Sequence, residues 1–221
     1  MGRLNADDWA KAALDALAEG GTAAVAVEPV AVRLGVSKGS FYWHFPHRQA
    51  LVEAALERWE AETEAIIAGL VLVRDPVERM RVLLERAFGD GRDAAISFRL
   101  ISEADDPVVG PVVRRVTERR LAFMRAALEE AGQPPEEASR RALAAYGGYL
   151  GKAALARIGA AAKAPEGAAA EGREGAVTEA PGGAAAEAPE GAVVEGREGA
   201  VAEGPMEPAE LAMVELGLPP R

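Results

Sequence analysis

Apolar residues recur every three or four positions along most of the first 160 residues, which is the period of an amphipathic α-helix. No segment shows the sustained apolar–polar alternation of a half-buried strand. Glycine and proline interrupt the helical pattern and divide it into separate stretches. The pattern therefore predicts an all-α fold. The predicted helices cover residues 7–19, 28–34, 38–45, 48–70, 75–89, 93–103, 107–131, 135–161 and 208–217.

Residues 163–205 interrupt this pattern and are dominated by Ala, Gly, Glu and Pro. An 18-residue stretch at 164–181 recurs at 188–205, with 14 of 18 positions identical. Large apolar side chains are nearly absent, so burial cannot offset the conformational entropy lost on ordering. This composition predicts a disordered, acidic low-complexity insert.

The charge is distributed unevenly along the chain. The net charge is −10, and residues 161–221 carry −8 of it. Residues 30–51 contain no acidic residue, yet they hold Arg33, Lys38 and Arg48 together with both histidines. A phosphate backbone responds to charge within about one Debye length of about 10 Å, so this local basic patch favours nucleic acid despite the acidic total.

Other compositional features exclude several classes of protein. The chain has no cysteine, which excludes disulfides, thiol catalysis and cysteine metal sites. It has no signal-like leader and no apolar run long enough to cross a membrane, so a cytoplasmic protein is expected. The sequence shows no catalytic constellation and no nucleotide-binding glycine loop, so neither an enzyme nor a cofactor is expected.

The segment GVSKGSFYWHF at residues 35–45 has two faces on a helical wheel. Phe41 and Phe45 lie four apart and are expected to pack against the preceding helix. A helix, a tight turn at Gly35 and a second helix with polar groups outward is the helix-turn-helix layout. The outward positions and the start of the next helix are expected to contact DNA through Lys38, Gly39, Ser40, Tyr42, Trp43, His44 and Arg48.

Two alternatives compete with this interpretation. Tyr42 and Trp43 could belong to the core of a helical bundle, which would require them to be buried opposite Phe41. His44 and His47 could ligate a metal at i, i+3 spacing, but no carboxylate or cysteine lies close to them in the sequence. Two histidines alone make a poor metal site, so no metal is predicted.

From Trp9 to about Leu56, through VEPVAVRLGVSKGSFYWHFPHRQALVEAAL, the chain resembles the TetR family of bacterial transcriptional regulators. The resemblance implies an all-α homodimer with a three-helix DNA-binding domain and a larger helical domain that binds an effector and dimerises. Val27 departs from the family pattern, which usually has Ser or Thr there to cap the second helix and contact a phosphate. The expected domains are residues 1–47 (DNA binding), 48–162 (effector and dimerisation), 163–205 (insert) and 206–221 (C-terminal helix and tail).

A row of small residues in the helix predicted at 135–161 favours a close helix–helix contact. Gly147 and Gly151 share a face with Ala144, Gly148 and Leu155. Such a face suits a symmetric contact in a twofold dimer. A close crossing within one chain, or a helix loosened beside a pocket, would explain the same pattern.

The helices of residues 60–160 are expected to enclose a small-molecule pocket. The predicted function is a ligand-responsive transcriptional regulator, a repressor that a small molecule releases from double-stranded operator DNA. The alternative is a helical protein-interaction or ligand-binding module without an operator. The residues expected to line the pocket are Phe88, Phe98, Arg99, Ser102, Phe123, Tyr146 and Tyr149.

Overall fold

The computed structural model describes residues 4–89, 91–160 and 207–220, and every regular element within them is helical. The predicted all-α fold is therefore confirmed. The predicted insert at 163–205 lies outside the described residues. The helices are α1 (Ala6–Gly20), α2 (Val27–Leu34), α3 (Lys38–Phe41), α4 (Arg48–Val71), α5 (Pro76–Gly89), α6 (Gly91–Ser102), α7 (Val109–Glu130), α8 (Pro135–Arg157) and α9 (Pro208–Glu215), with a 3₁₀ turn at Thr22–Ala24.

Local chemistry fixes the first two helix boundaries. Asn5 and Asp8 form a capping box at the start of α1, in which each side chain accepts a hydrogen bond from the other residue's backbone N–H, at 3.0 and 2.8 Å. Helix α2 begins at Val27, one residue earlier than predicted, and no side chain caps it. Ala26 occupies the N-cap position, so the missing hydroxyl noted at Val27 leaves this end without a side-chain acceptor.

Helix α3 is shorter than the predicted helix over 38–45. It ends at Phe41, and residues 42–44 continue as a turn in which the Trp43 and His44 amides bond to carbonyls three residues back. Pro46 disfavours helical geometry at Phe45, so the segment does not continue as a helix beyond this turn. Ser37 stands at the N-cap in an extended conformation, but its side chain makes no capping hydrogen bond.

The largest buried cluster is centred on α1 and combines it with α2, α3, α4, α6 and the first turns of α7. Trp9, Leu14 and Leu17 of α1 are fully buried, and so are Phe41 and Trp59 on neighbouring helices. The cluster therefore contains residues from both sides of position 47. The division of the chain into domains 1–47 and 48–162 stays a prediction.

A second buried cluster joins α5, α7 and α8 to α9. Met213 of α9 is fully buried in it. Two long-range hydrogen bonds hold the same segment: Gln133 Nε2 donates to the Leu216 carbonyl at 2.6 Å, and Arg81 Nη2 donates to the Pro219 carbonyl at 3.2 Å. The last helix is thus an integral part of the helical body.

Candidate DNA interface and internal cavity

The turn between α2 and α3 sets the angle between the two helices. Gly35 adopts a left-handed conformation with φ 69°, which a glycine accepts without steric cost. The amide of Val36 donates to the Ala31 carbonyl at 3.0 Å, and the Gly35 amide donates to the Val32 carbonyl at 3.0 Å. These bonds satisfy the last carbonyls of α2 and direct the chain into α3.

The buried face of the α3 segment is aromatic. The Phe41 ring lies 5.5 Å from the ring of Trp9 in an edge-on arrangement and 5.6 Å from the ring of Phe45 in a stacked one. Both phenylalanines are buried, as the sequence pattern indicates. This contact fixes the segment to α1, so that its opposite side points to solvent.

The opposite face carries the residues that were predicted to contact DNA. Trp43 is 87% exposed and Tyr42 is 60% exposed, so neither side chain is buried, although the Tyr42 ring lies 5.1 Å from the ring of Phe41 in an edge-on arrangement. Lys38 and Gly39 are also exposed, while Ser40 and His44 are half-buried at the edge of the face. We call the exposed surface formed by Lys38, Gly39, Tyr42 and Trp43 the recognition face.

Glu28 is a neighbour of the recognition face that the sequence analysis did not include. Lys38 Nζ lies 2.7 Å from Glu28 Oε1, and both side chains are largely exposed. The hydrogen bond with Lys38 lowers the pKa of Glu28, and the same bond raises the pKa of Lys38. An exposed pair of this kind is weak, so a phosphate or a base edge can compete for the ammonium.

Arg48 has a different environment from the one expected for a phosphate-binding residue. Its Nε donates to the Val25 carbonyl at 2.5 Å, and its Nη2 donates to the Thr22 carbonyl. On the other side, Thr22 donates through its amide and its hydroxyl to Glu103. The side chain of Arg48 therefore fastens the connection between α1 and α2, a role that its sequence position did not indicate.

His47 caps α4 through its imidazole. Its Nδ1 accepts a hydrogen bond from the Ala50 amide at 3.2 Å. No group of three or more potential metal ligands occurs among the residues that the structure describes.

A cavity of about 610 Å³ lies among α4, α5, α6, α7 and α8. Four of the predicted lining residues, Phe88, Phe123, Tyr146 and Tyr149, do line it. One part of the wall is apolar, and it includes Ile66, Ile67, Leu70, Val82, Leu83 and Phe123.

Phe98, Arg99 and Ser102 do not line this cavity, which corrects the prediction. Arg99 Nη2 donates to the Glu19 carbonyl of α1 at 2.8 Å, and Ser102 Oγ donates to the Phe98 carbonyl of its own helix at 2.8 Å. Helix α6 packs against α1 with this side, so the residues that reach the cavity side are at the start of the helix. Asp93 is one of them.

A polar network centred on Asp93 forms part of the cavity wall, and the sequence analysis missed it. The Asp93 carboxylate accepts hydrogen bonds from three other helices: from Trp59 Nε1 at 3.0 Å, from Arg120 Nη2 at 3.0 Å and from the Tyr149 hydroxyl at 2.6 Å. Burial alone would raise the pKa of Asp93, but the charge of Arg120 and these hydrogen bonds outweigh burial and lower it. Asp93 is therefore an anion at neutral pH.

Arg120 is held from several sides in the same network. Its Nη1 donates to Ser97 Oγ at 3.0 Å, its Nη2 donates to Thr63 Oγ1 at 2.8 Å, and its guanidinium lies 5.2 Å from the centre of the Trp59 ring. Burial would lower the pKa of Arg120, but the charge of Asp93 more than compensates and raises it. Asp93 and Arg120 thus form a partly buried ion pair, with side chains 33% and 13% exposed, that hydrogen bonds hold in place.

Helix α8 presents an exposed face of small and apolar residues. A methyl group added at Gly147, Gly148 or Gly151 would meet no described atom within 4 Å outside its own helix. Leu143, Leu155 and Ile158 are all more than half exposed nearby. In the described part of the chain, no other helix crosses α8 closely at these glycines.

None of the helices within the described ranges is both long enough and apolar enough to cross a membrane.

Comparison with known proteins identifies the N-terminal part of the chain. Residues 10–55 match the family model for bacterial regulatory proteins of the tetR family. The chain is also similar to the tetracycline repressor protein class A from transposon 1721 of Escherichia coli, with 39% identity over 62 residues. That match covers 28% of this chain and 29% of the relative, so it spans less than a third of the relative's length.

Two solved structures share the fold. A TetR-family transcriptional regulator from Rhodococcus sp. has a TM-score of 0.55 and 21% identity, over 70% of this chain and 88% of that one. A transcriptional regulator from Aquifex aeolicus VF5 has a TM-score of 0.51 and 18% identity, over 68% and 85%. These likenesses show that the fold extends beyond the matched N-terminal residues. In its N-terminal part, over residues 10–55, the chain is thus similar to bacterial regulatory proteins of the tetR family.

Proposed function

We propose that the protein is a homodimeric transcriptional repressor that binds operator DNA and is released by a small molecule. The observation that carries this proposal is the division of the α3 segment into a buried aromatic side and an exposed recognition face. A tryptophan that is 87% exposed, next to an exposed tyrosine and lysine, has no structural role in the described chain. Contact with DNA supplies a role for all three side chains.

In this proposal α3 enters the major groove of the operator. Lys38 donates to the acceptors of a guanine edge, and Glu28 holds its ammonium until DNA displaces the ion pair. Tyr42 and His44 contact phosphate oxygens, with Ser40 alongside, and Trp43 lies against sugar or a thymine methyl group. Gly39 lets the backbone approach the DNA closely.

The structure modifies the proposed role of Arg48. Two of its nitrogens already donate to backbone carbonyls, so its contribution to DNA binding comes mainly from holding the connection between α1 and α2. Its positive charge still lies at the start of α4, where it favours a nearby phosphate.

Dimerisation is proposed to occur through α8 and α9. The face of α8 around Gly147 and Gly151 is open, and exposed leucine and isoleucine side chains surround it. Leu211 and Val214 of α9 are also about half exposed. A single recognition face covers only a few base pairs, so a twofold dimer that reads two half-sites supplies the specificity that one α3 lacks.

The effector is proposed to bind in the cavity of about 610 Å³, which falls within the roughly 300–1,000 Å³ typical of ligand pockets. Helices α4 and α6 connect this cavity with α1. Arg92 lines the cavity and lies 2.7 Å from Asp15 of α1. A ligand that prefers one arrangement of these helices would therefore shift the recognition faces and change operator affinity.

Fluorescence anisotropy tests the proposed DNA contact through Gly39→Ala, with a labelled duplex from the promoter region beside the protein's own gene. Among the described atoms beyond its chain neighbours and its own helix backbone, the added methyl group would meet Ser37 Oγ at 3.6 Å, an ordinary contact, so the fold is retained. If the backbone at Gly39 approaches DNA, affinity falls about tenfold, equivalent to about 1.4 kcal/mol. Affinity for the duplex should also fall steeply with added salt.

Gly91→Ala is the matched control, since its methyl group would meet no described atom within 4 Å beyond its chain neighbours and its own helix, and it lies away from the recognition face. The control should bind DNA like the wild type. Equal affinities for wild type, Gly39→Ala and Gly91→Ala would remove α3 from the interface.

A further inference from the structure

The chemistry of the cavity wall indicates what kind of molecule fits. We infer that the effector is an electrically neutral amphiphile, with an apolar body and an uncharged hydrogen-bonding head. This inference rests on the proposed function only in calling the bound molecule an effector. The binding preference itself follows from the cavity.

We infer the apolar body of the ligand from the part of the cavity wall formed by α4, α5 and α7. Ile66, Ile67, Leu70 and Phe123 line this part, and Val82 and Leu83 complete it. A ligand placed there exchanges water for aliphatic and aromatic contacts, which favours hydrocarbon over polar groups.

The absence of charge on the head follows from the ion pair between Asp93 and Arg120. Both residues line the cavity, their nearest atoms are 3.0 Å apart, and their formal charges cancel. Three donors already satisfy the Asp93 carboxylate, and Arg120 is bonded to Ser97 and Thr63 as well. A charged head group would enter without a free counter-charge, which a buried site strongly disfavours.

The remaining charged residues of the wall are compensated or exposed. Glu62 accepts from Arg58 Nε at 2.8 Å and lies 3.5 Å from Arg92, while Arg92 also pairs with Asp15. Arg86 is exposed to solvent, where water screens its charge. None of these groups therefore offers an unpaired charge inside the cavity to a charged head group of the ligand.

Tyr146 is the side chain in the wall that is best suited to meet the head group. It is buried and lines the cavity, and among the described residues its hydroxyl has one hydrogen-bond contact, with Thr117 Oγ1 at 3.5 Å. This distance is at the limit of a hydrogen bond, so the hydroxyl retains the capacity to bond a neutral alcohol, carbonyl or amide.

Three eight-carbon probes with the same chain test this inference: 1-octanol, octanoate and octylamine. Their affinities for the DNA-free full-length protein are measured at pH 7 by calorimetry. The cavity should bind 1-octanol at least tenfold more tightly than either charged probe. Tighter binding of octanoate or octylamine to the wild type would overturn the inference.

Neutralising one member of the ion pair should reverse the preference. Asp93→Asn leaves the charge of Arg120 uncompensated, so octanoate should bind at least tenfold more tightly than it binds the wild type, while 1-octanol changes by less than threefold. Ser102→Ala, which removes a hydroxyl outside the cavity, is the control and should leave all three affinities unchanged. An Asp93→Asn protein that unfolds cooperatively and shows no gain for octanoate would refute the role of the pair.

If Asp93→Asn does not fold, the ranking of the three probes on the wild type still decides the inference. Release of promoter DNA by 1-octanol is measured separately. Tight binding of 1-octanol without any loss of DNA affinity would contradict the proposed regulation and leave the ligand class standing. Preference for a charged probe would contradict the ligand class and leave the DNA-binding proposal standing.

Discussion

The recognition face and the cavity wall differ in how the chain assembles them. The recognition face comes from one stretch, Lys38 to Trp43, in which buried and exposed side chains follow one another within single turns. The network in the cavity wall takes Trp59, Asp93, Arg120 and Tyr149 from four helices. Removing one exposed side chain from the recognition face therefore leaves the buried packing beneath it intact. Removing any side chain of the network instead breaks a hydrogen bond between two helices.

The largest effect on stability is expected inside the α3 segment. Phe41 is fully buried against Trp9 and Phe45, so Phe41→Ala should lower the free energy of unfolding by about 3–5 kcal/mol. Trp43→Ala, two residues away, should change it by less than about 0.5 kcal/mol because that side chain is exposed. Urea denaturation of both variants measures the contrast. A Phe41→Ala protein as stable as the wild type would mean that the two faces are reversed.

A smaller effect on stability is expected when a tyrosine hydroxyl is removed from each of the two regions. Tyr149→Phe removes the hydroxyl that donates to Asp93 at 2.6 Å and should lower the free energy of unfolding by about 1.5–3 kcal/mol, as for hydrogen bonds to charged groups. Tyr42→Phe removes a hydroxyl from an exposed ring and should leave the stability within about 0.5 kcal/mol. Thermal and urea unfolding report both values. Equal changes in the free energy of unfolding for the two variants would show that the hydrogen bond from Tyr149 to Asp93 does not stabilise the fold.

Sequence reasoning succeeded where the relevant contacts are close along the chain. The pairing of Phe41 with Phe45, the exposure of Trp43 and the turn at Gly35 all follow from the helical period and glycine chemistry within eleven residues. The predicted length of α3 was wrong: the α-helix ends at Phe41, and residues 42–44 form a turn with hydrogen bonds to carbonyls three residues back.

The remaining wrong or absent predictions involve residues that are far apart in the sequence but in contact in the fold. Arg48 meets carbonyls of residues 22 and 25, and nothing near it in the sequence indicates that contact. Arg99 and Ser102 belong to the side of α6 away from the cavity, since the packing of α6 on α1 decides its orientation. Asp93 and Arg120 are separated by 27 positions, and Arg120 lies among other arginines of α7, of which Arg115 and Arg119 pair with glutamates of α4 instead.

The central claim is that two copies of the recognition face read DNA, with Lys38 on a base. Selection of bound duplexes from a random-sequence pool, followed by sequencing, tests it most directly. The wild type should enrich an inverted repeat of one half-site, and Lys38→Ala should lower the preference at one symmetric pair of positions by about tenfold. Arg125→Ala, an equal charge change on α7, should keep the wild-type pattern. Failure of the wild type to enrich an inverted repeat, or an unchanged preference in Lys38→Ala, would contradict the claim.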